Sequence, residues 1–129
     1  MESQKYNPVA WFEIYVNDMD RASRFYEAVL NITLNDMSNP TETEMQMKGF
    51  PGSSEGMGAT GSLVKMDRMP GGGSGTIIYF GSNDCSVEES RVEAAGGKVV
   101  QPKMSIGEYG FISLAQDTEG NMIGLYSMQ

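Results

Sequence analysis

Trp11, Glu13 and Tyr15 stand at alternate positions in the stretch VAWFEIYV, residues 9–16. Side chains repeat every two residues along a strand, so an extended chain here puts these three on one face and Phe12, Ile14 and Val16 on the other. The uniform apolarity of the second set assigns it to the side packed on a helix. A carboxylate set among aromatic rings could act as a general base or pair with a cationic ligand, while the indole N–H and the phenol could orient an organic molecule. The same carboxylate could equally pair with Lys65 and do structural work only. The pattern returns twice: Ile77 and Tyr79 alternate with Ile78 and Phe80, and Met122, Gly124 and Tyr126 alternate with Ile123 and Leu125. Cys85 is the single cysteine and the chain has no histidine. No intrachain disulfide or cysteine metal cluster can therefore form, and with no imidazole to activate the thiol, a packing or surface role is expected for it.

The elements that must position these residues repeat as well. NDMDRASRFYEAVLNITL from Asn17 and NDCSVEESRVEAAGGKVV from Asn83 align over eighteen residues without a gap, each running from a strand through an Asn-Asp pair and a helix into a new strand. In the first copy Asp18 or Asp20 can cap a helix whose apolar face is Met19, Ala22, Phe25, Tyr26, Val29 and Leu30, with Asn31 as a left-handed stop. Strands follow at about 32–37, 43–48 and 61–66, with a turn at Asn39-Pro40 and a loop over 49–58. The glycine-rich run 68–75 reads as a linker, lacking the lysine and hydroxyl of a phosphate loop. In the second copy a strand at 76–81 leads to a helix with a Ser86–Glu89 capping box, ending at Ala94-Ala95-Gly96-Gly97. Strands at 98–103, 111–116 and 122–127 complete it, the last two joined by the turn Asp117–Asn121, which lacks the ligands of a calcium loop.

The 129 residues suit one domain, with 40% hydrophobic content. A net charge of −8 repels phosphate backbones and anionic membrane surfaces, which argues against nucleic-acid and membrane partners. With no signal-like N-terminus and no run of about 18 apolar residues, a cytoplasmic protein is the expectation. Eleven methionines are many. Those at Met45, Met47 and Met122 could line an adaptable pocket or fill gaps in the core.

Three stretches resemble the vicinal oxygen chelate superfamily, which includes glyoxalase I, bleomycin resistance proteins and extradiol dioxygenases. FEIYVNDMDRASRFYEAVL is similar to its opening strand, turn and Phe-Tyr helix, VEAAGGKVV to its second helix and glycine exit, and DTEGNMIGLY to its Asp-x-x-Gly-Asn turn and closing strand. The resemblance implies an α+β fold in which two βαβββ modules, about 8–67 and 76–128, form an open eight-stranded barrel-like cavity within a single domain 1–129. Metal-dependent members hold a divalent ion with His or Glu from the first and fourth strands of each module. Those positions fall here on Trp11, on Ile77 or Thr76, on Gly124 and near Ser62–Lys65, none of which carries an imidazole or carboxylate.

The resulting expectation is a glyoxalase- or bleomycin-resistance-like protein, with no metal or other cofactor, that binds a small organic molecule in an aromatic cavity. Its lining would be Trp11, Glu13, Tyr15, Tyr79, Met122 and Tyr126. Two alternatives stand beside it: a lactoylglutathione-lyase-related enzyme, lyase- or isomerase-like, with Glu13 as catalytic base, and a structural or regulatory protein whose barrel is filled. The resemblance also implies a homodimer.

Overall fold

A computed structural model describes residues 7–38, 44–53, 55–72 and 75–129. The turn expected at Asn39-Pro40 and the start of the strand expected from Thr43 lie outside the described residues. The chain forms two compact units, residues 12–76 and residues 1–11 with 77–129. The cut falls within the first strand, β1 (Val9–Tyr15), which contributes to both.

The unit 12–76 continues with α1 (Met19–Leu30), β2 (Asn35–Met37), β3 (Gln46–Gly49) and β4 (Thr60–Lys65), its strands hydrogen-bonded in the order β2-β3-β4-β1. Of the two candidate caps Asp18 is the one used: its backbone is extended and its Oδ1 accepts from the Arg21 N–H at 3.0 Å, satisfying one of the orphan donors of the first turn. Asn31 ends the helix in the left-handed region at φ 54°, as its position predicts. Met19, Leu34 and Leu63 form the core, with Ile14, Val16, Ala22, Tyr26, Ile32 and Phe50 against them. The helix buries a narrower stripe than its periodicity predicts. Ser23 is buried, whereas Phe25, Val29 and Leu30 stay 58%, 62% and 52% exposed. The glycine-rich segment is tied down where it is described, since Gly71 N–H donates to Asn17 Oδ1 at 3.0 Å and Gly75 carbonyl accepts from Tyr15 N–H at 2.6 Å.

The other unit adds β5 (Thr76–Gly81), α2 (Cys85–Val92), β6 (Lys98–Ser105), a 3-10 turn at Gly107–Tyr109, β7 (Phe111–Gln116) and β8 (Met122–Ser127), with strand order β1-β5-β8-β7-β6. β5 and β8 run parallel, and β7 is antiparallel to both β8 and β6. Pro102 lies on β6, at the end of the strand order, where a missing N–H costs no internal ladder bond, and the β6–β7 register is shifted twice around it. α2 packs on β6, β7 and β8. Ile78, which strand alternation assigns to the side packed on the second helix, stays 42% exposed. Cys85 is fully buried, its N–H bonded to Ser127 Oγ at 3.0 Å. Each module is βαβββ, so the α+β class read from the sequence is the one observed.

The Ser86–Glu89 capping box is not formed. Asp84 caps α2, accepting from the Ser86 N–H at 3.0 Å, and Glu89 Oε1 instead accepts from the Lys103 N–H at 2.6 Å. The choice follows from Lys103, whose ammonium sits 2.9 Å from Asp84 Oδ1 and 4.7 Å from the centre of the Phe111 ring. The Lys103 ammonium, then the Ser86 hydroxyl and N–H, hold the Asp84 carboxyl at about 2, against an ordinary 3.8. A depressed folded-state pKa gives stability that is present above the unfolded value and lost as pH falls through the folded one. Asp84→Asn keeps a capping side chain but removes the charge. Its urea midpoint is therefore expected to fall less steeply than that of the wild type between pH 4 and pH 2. Parallel slopes across that window would show that Asp84 does not link folding to acid.

Candidate functional site

On β1 the alternation holds. Ile14 and Val16 pack in the α1 core, and Phe12 meets Phe50 with ring centres 5.4 Å apart, so Glu13 and Tyr15 project from the opposite side of the strand. There the Tyr15 hydroxyl donates to Glu13 Oε1 at 2.7 Å. Tyr15 is buried and Glu13 half-buried, and the bond holds the carboxylate in one orientation. The bond removes rotamer freedom that a ligand would otherwise have to freeze. Trp11, half-buried, shares their side of the strand by the same alternation.

In the unit that holds β5 to β8, the parallel register sets Tyr79 opposite Gly124, and Ile77, Tyr79, Met122 and Tyr126 share one face. Tyr79 is buried and its ring lies directly over Gly124: a Cβ added there would stand 2.7 Å from the ring Cγ and closer still to Cδ2 and Cε2. Tyr126 donates its hydroxyl to the Tyr109 carbonyl at 2.5 Å, and burial pushes its phenol up from the ordinary 10.0. Met122 is half-buried at the start of β8. The preceding turn is held by Asp117, whose Oδ1 accepts from the N–H groups of Glu119 and Asn121 at 2.8 Å each.

The four positions where the family's metal-dependent members carry ligands do not fit a divalent cation. The Trp11 indole has a donor and no lone pair. Ile77 is apolar and fully buried, and Gly124 lies beneath a tyrosine ring with no room for a carboxylate. On β4, Ser62 is a fully buried hydroxyl followed by Leu63 and Val64. Among the described residues no three His, Cys, Asp or Glu side chains gather to hold a metal.

A concavity lies on the opposite side of β1 from Glu13. Phe12, Ile14, Tyr26, Leu30 and Phe50 line an open apolar cleft of about 430 Å³ on the α1 side of the unit 12–76. In the sequence Phe12, Ile14, Tyr26 and Leu30 read only as apolar packing faces and Phe50 as part of the loop 49–58, and the signal that could have separated them was the glycine content of that loop.

A family profile described as the Glyoxalase/Bleomycin resistance protein/Dioxygenase superfamily matches residues 8–125. No curated protein matches the chain. Among solved structures, methylmalonyl-CoA epimerase from Mycobacterium tuberculosis is similar at TM-score 0.70 and 19% identity, covering 100% of this chain and 93% of its own. The Streptomyces coelicolor methylmalonyl-CoA epimerase in complex with 2-nitronate-propionyl-CoA is similar at TM-score 0.66 and 19% identity, with coverage of 94% and 96%. A hypothetical protein from Bacillus halodurans C-125 gives TM-score 0.72 at 12% identity, with coverage of 97% and 96%. At these identities the similarity shows the fold. With the profile spanning both modules, the chain belongs to the Glyoxalase/Bleomycin resistance protein/Dioxygenase superfamily.

Proposed function

We propose that this protein binds a small organic molecule through the Glu13 carboxylate, without a metal ion. The observation that carries the reading is the 2.7 Å hydrogen bond from the Tyr15 hydroxyl, which presents a fixed acid on a half-buried, aromatic strand face. An oriented carboxylate recognises a cationic group or a hydrogen-bond donor, and a chain of net charge −8 disfavours anions. Trp11 and Tyr15, on the same side of β1, are the aromatic groups proposed to contact the apolar part of such a ligand. Isothermal titration with benzylamine and with benzyl alcohol tests this. Benzylamine is expected to bind more tightly, and Glu13→Gln to weaken it by about tenfold, the loss of one charge-assisted contact. Equal affinity for the two probes in the wild type would reject the carboxylate as the recognition group.

The same carboxylate favours one further reading, an isomerase-like enzyme in which Glu13 removes a proton next to a carbonyl, since the similar structures include methylmalonyl-CoA epimerases. Incorporation of solvent deuterium into methylmalonyl-CoA, followed by NMR, separates it from simple binding. Exchange in the wild type that disappears in Glu13→Gln would support catalysis, and no exchange would leave binding alone. The acidic charge of the chain opposes the phosphates of a coenzyme A ester, which is why binding is the preferred reading.

A further inference from the structure

The apolar cleft of the unit 12–76 is independent of the Glu13 reading. Glu13 and Tyr15 leave β1 on one side, whereas Phe12 and Ile14 leave it on the other and form the cleft floor. Tyr26 and Leu30 of α1 form one wall, and Phe50 with Met57 from the loop after β3 the other. Phe50 is the hub of the aromatic surface: its ring centre lies 5.4 Å from that of Phe12 at 50° and 5.7 Å from that of Tyr26 at 81°. Tilted and edge-on rings leave faces and edges available to a further flat ring, the arrangement aromatic pairs prefer.

The chemistry of the walls selects the occupant. Among the described residues, no Asp, Glu, Lys or Arg lines the cleft. The Thr60 hydroxyl, which also borders it, is spent on the Phe50 carbonyl at 3.1 Å. A cation finds no counter-charge there and an anion is repelled by the net charge of −8. The volume of about 430 Å³ falls in the range of small-ligand sites, roughly 300–1,000 Å³. Met57 is fully exposed at the lip, and a flexible thioether suits contact with ligands of differing outline. We propose that this cleft is a second binding site, for a small neutral aromatic molecule of about two rings.

N-phenyl-1-naphthylamine, neutral and fluorescent in apolar surroundings, is the probe. The full chain is expected to bind it saturably at one site per chain. Ala59 lines the cleft and is half-buried, so Ala59→Phe fills the space and is expected to weaken binding by about tenfold or more. Leu30→Gln, at a half-exposed helix position where glutamine is well tolerated, guards against misfolding of the first variant and is expected to weaken binding about fivefold. Val87→Gln, on α2, is expected to bind as the wild type does. Non-saturable partitioning, or wild-type affinity in both cleft variants, would overturn the site. So would probe binding lost in Glu13→Gln and kept in Ala59→Phe, which would move the probe to the other strand face. Sedimentation adds a last arm. If Leu30→Gln turns a dimer into a monomer and only the monomer takes up the probe, a second copy of the chain is the occupant and the small-molecule site is wrong.

Discussion

Gly124→Ala is expected to lose about 3 kcal/mol of folding stability in urea, at the upper end for overpacking by one methyl group. The cause is local and named. A Cβ at this position enters the ring of the buried Tyr79, which the parallel pairing of β5 with β8 sets directly opposite. Because the obstacle is a side chain, the cost should be recoverable. Tyr79→Leu alone is destabilising, but the double variant Gly124→Ala/Tyr79→Leu is expected to be more stable than the two single losses predict by about 1–2 kcal/mol, as residues in contact couple. Simple additivity would mean that the ring does not set the requirement for glycine. The same geometry makes Gly124→Glu, which would install the carboxylate that metal-dependent relatives carry there, a destabilised protein rather than a restored metal site.

Gly61→Ala should be worse, on the order of 4 kcal/mol, and it should resist rescue. A Cβ on β4 at this point meets the backbone carbonyl oxygen of Phe12 as well as the Phe12 ring, whose Cγ is 2.7 Å away. A ring can rotate or be cut back, but a strand carbonyl cannot leave without breaking the alignment of β1. Phe12→Ala is therefore expected to restore little of the loss, in contrast to the Tyr79–Gly124 pair, and substantial recovery of the urea midpoint in that double variant would disprove the backbone clash. Since Phe12 lies in the floor of the cleft and packs on Phe50, a Gly61→Ala protein that did fold should also bind N-phenyl-1-naphthylamine poorly.

Much of this architecture is legible in the amino-acid sequence. β5, β7 and β8 fall at the residues predicted, because short β-branched and aromatic runs bounded by glycine and turn residues have few alternatives. Asn31 stops α1, and Asp117 folds its turn, through bonds that involve only nearby residues. The shared side of Glu13 and Tyr15 followed from the period of two alone. The second helix cap did not. Asp84 and Ser86 are both good caps two residues apart, and the decision rests with Lys103, nineteen residues from Asp84. Helical periodicity likewise marked Phe25, Val29 and Leu30 as apolar without saying whether the strands beneath would reach them.

The sequence by itself therefore determined the repeated βαβββ order, the family to which it belongs, and the absence of histidine and of acidic residues at the positions where relatives hold a metal. These are properties of residue identity and short-range spacing, which need no partner from a distant segment. Only the tertiary structure decided what fills those positions and what lies beside them. Tyr79 covers Gly124 because β5 and β8, forty-odd residues apart in the chain, pair in one particular register. The Tyr15 hydroxyl fixes Glu13 through a rotamer choice that strand alternation permits but does not impose. The cleft exists because α1 and the loop after β3 pack on β1 without closing over Phe12 and Phe50. Pattern tells which side of an element is apolar; the distance between two such sides, which separates a filled core from a binding site, is set only when they pack.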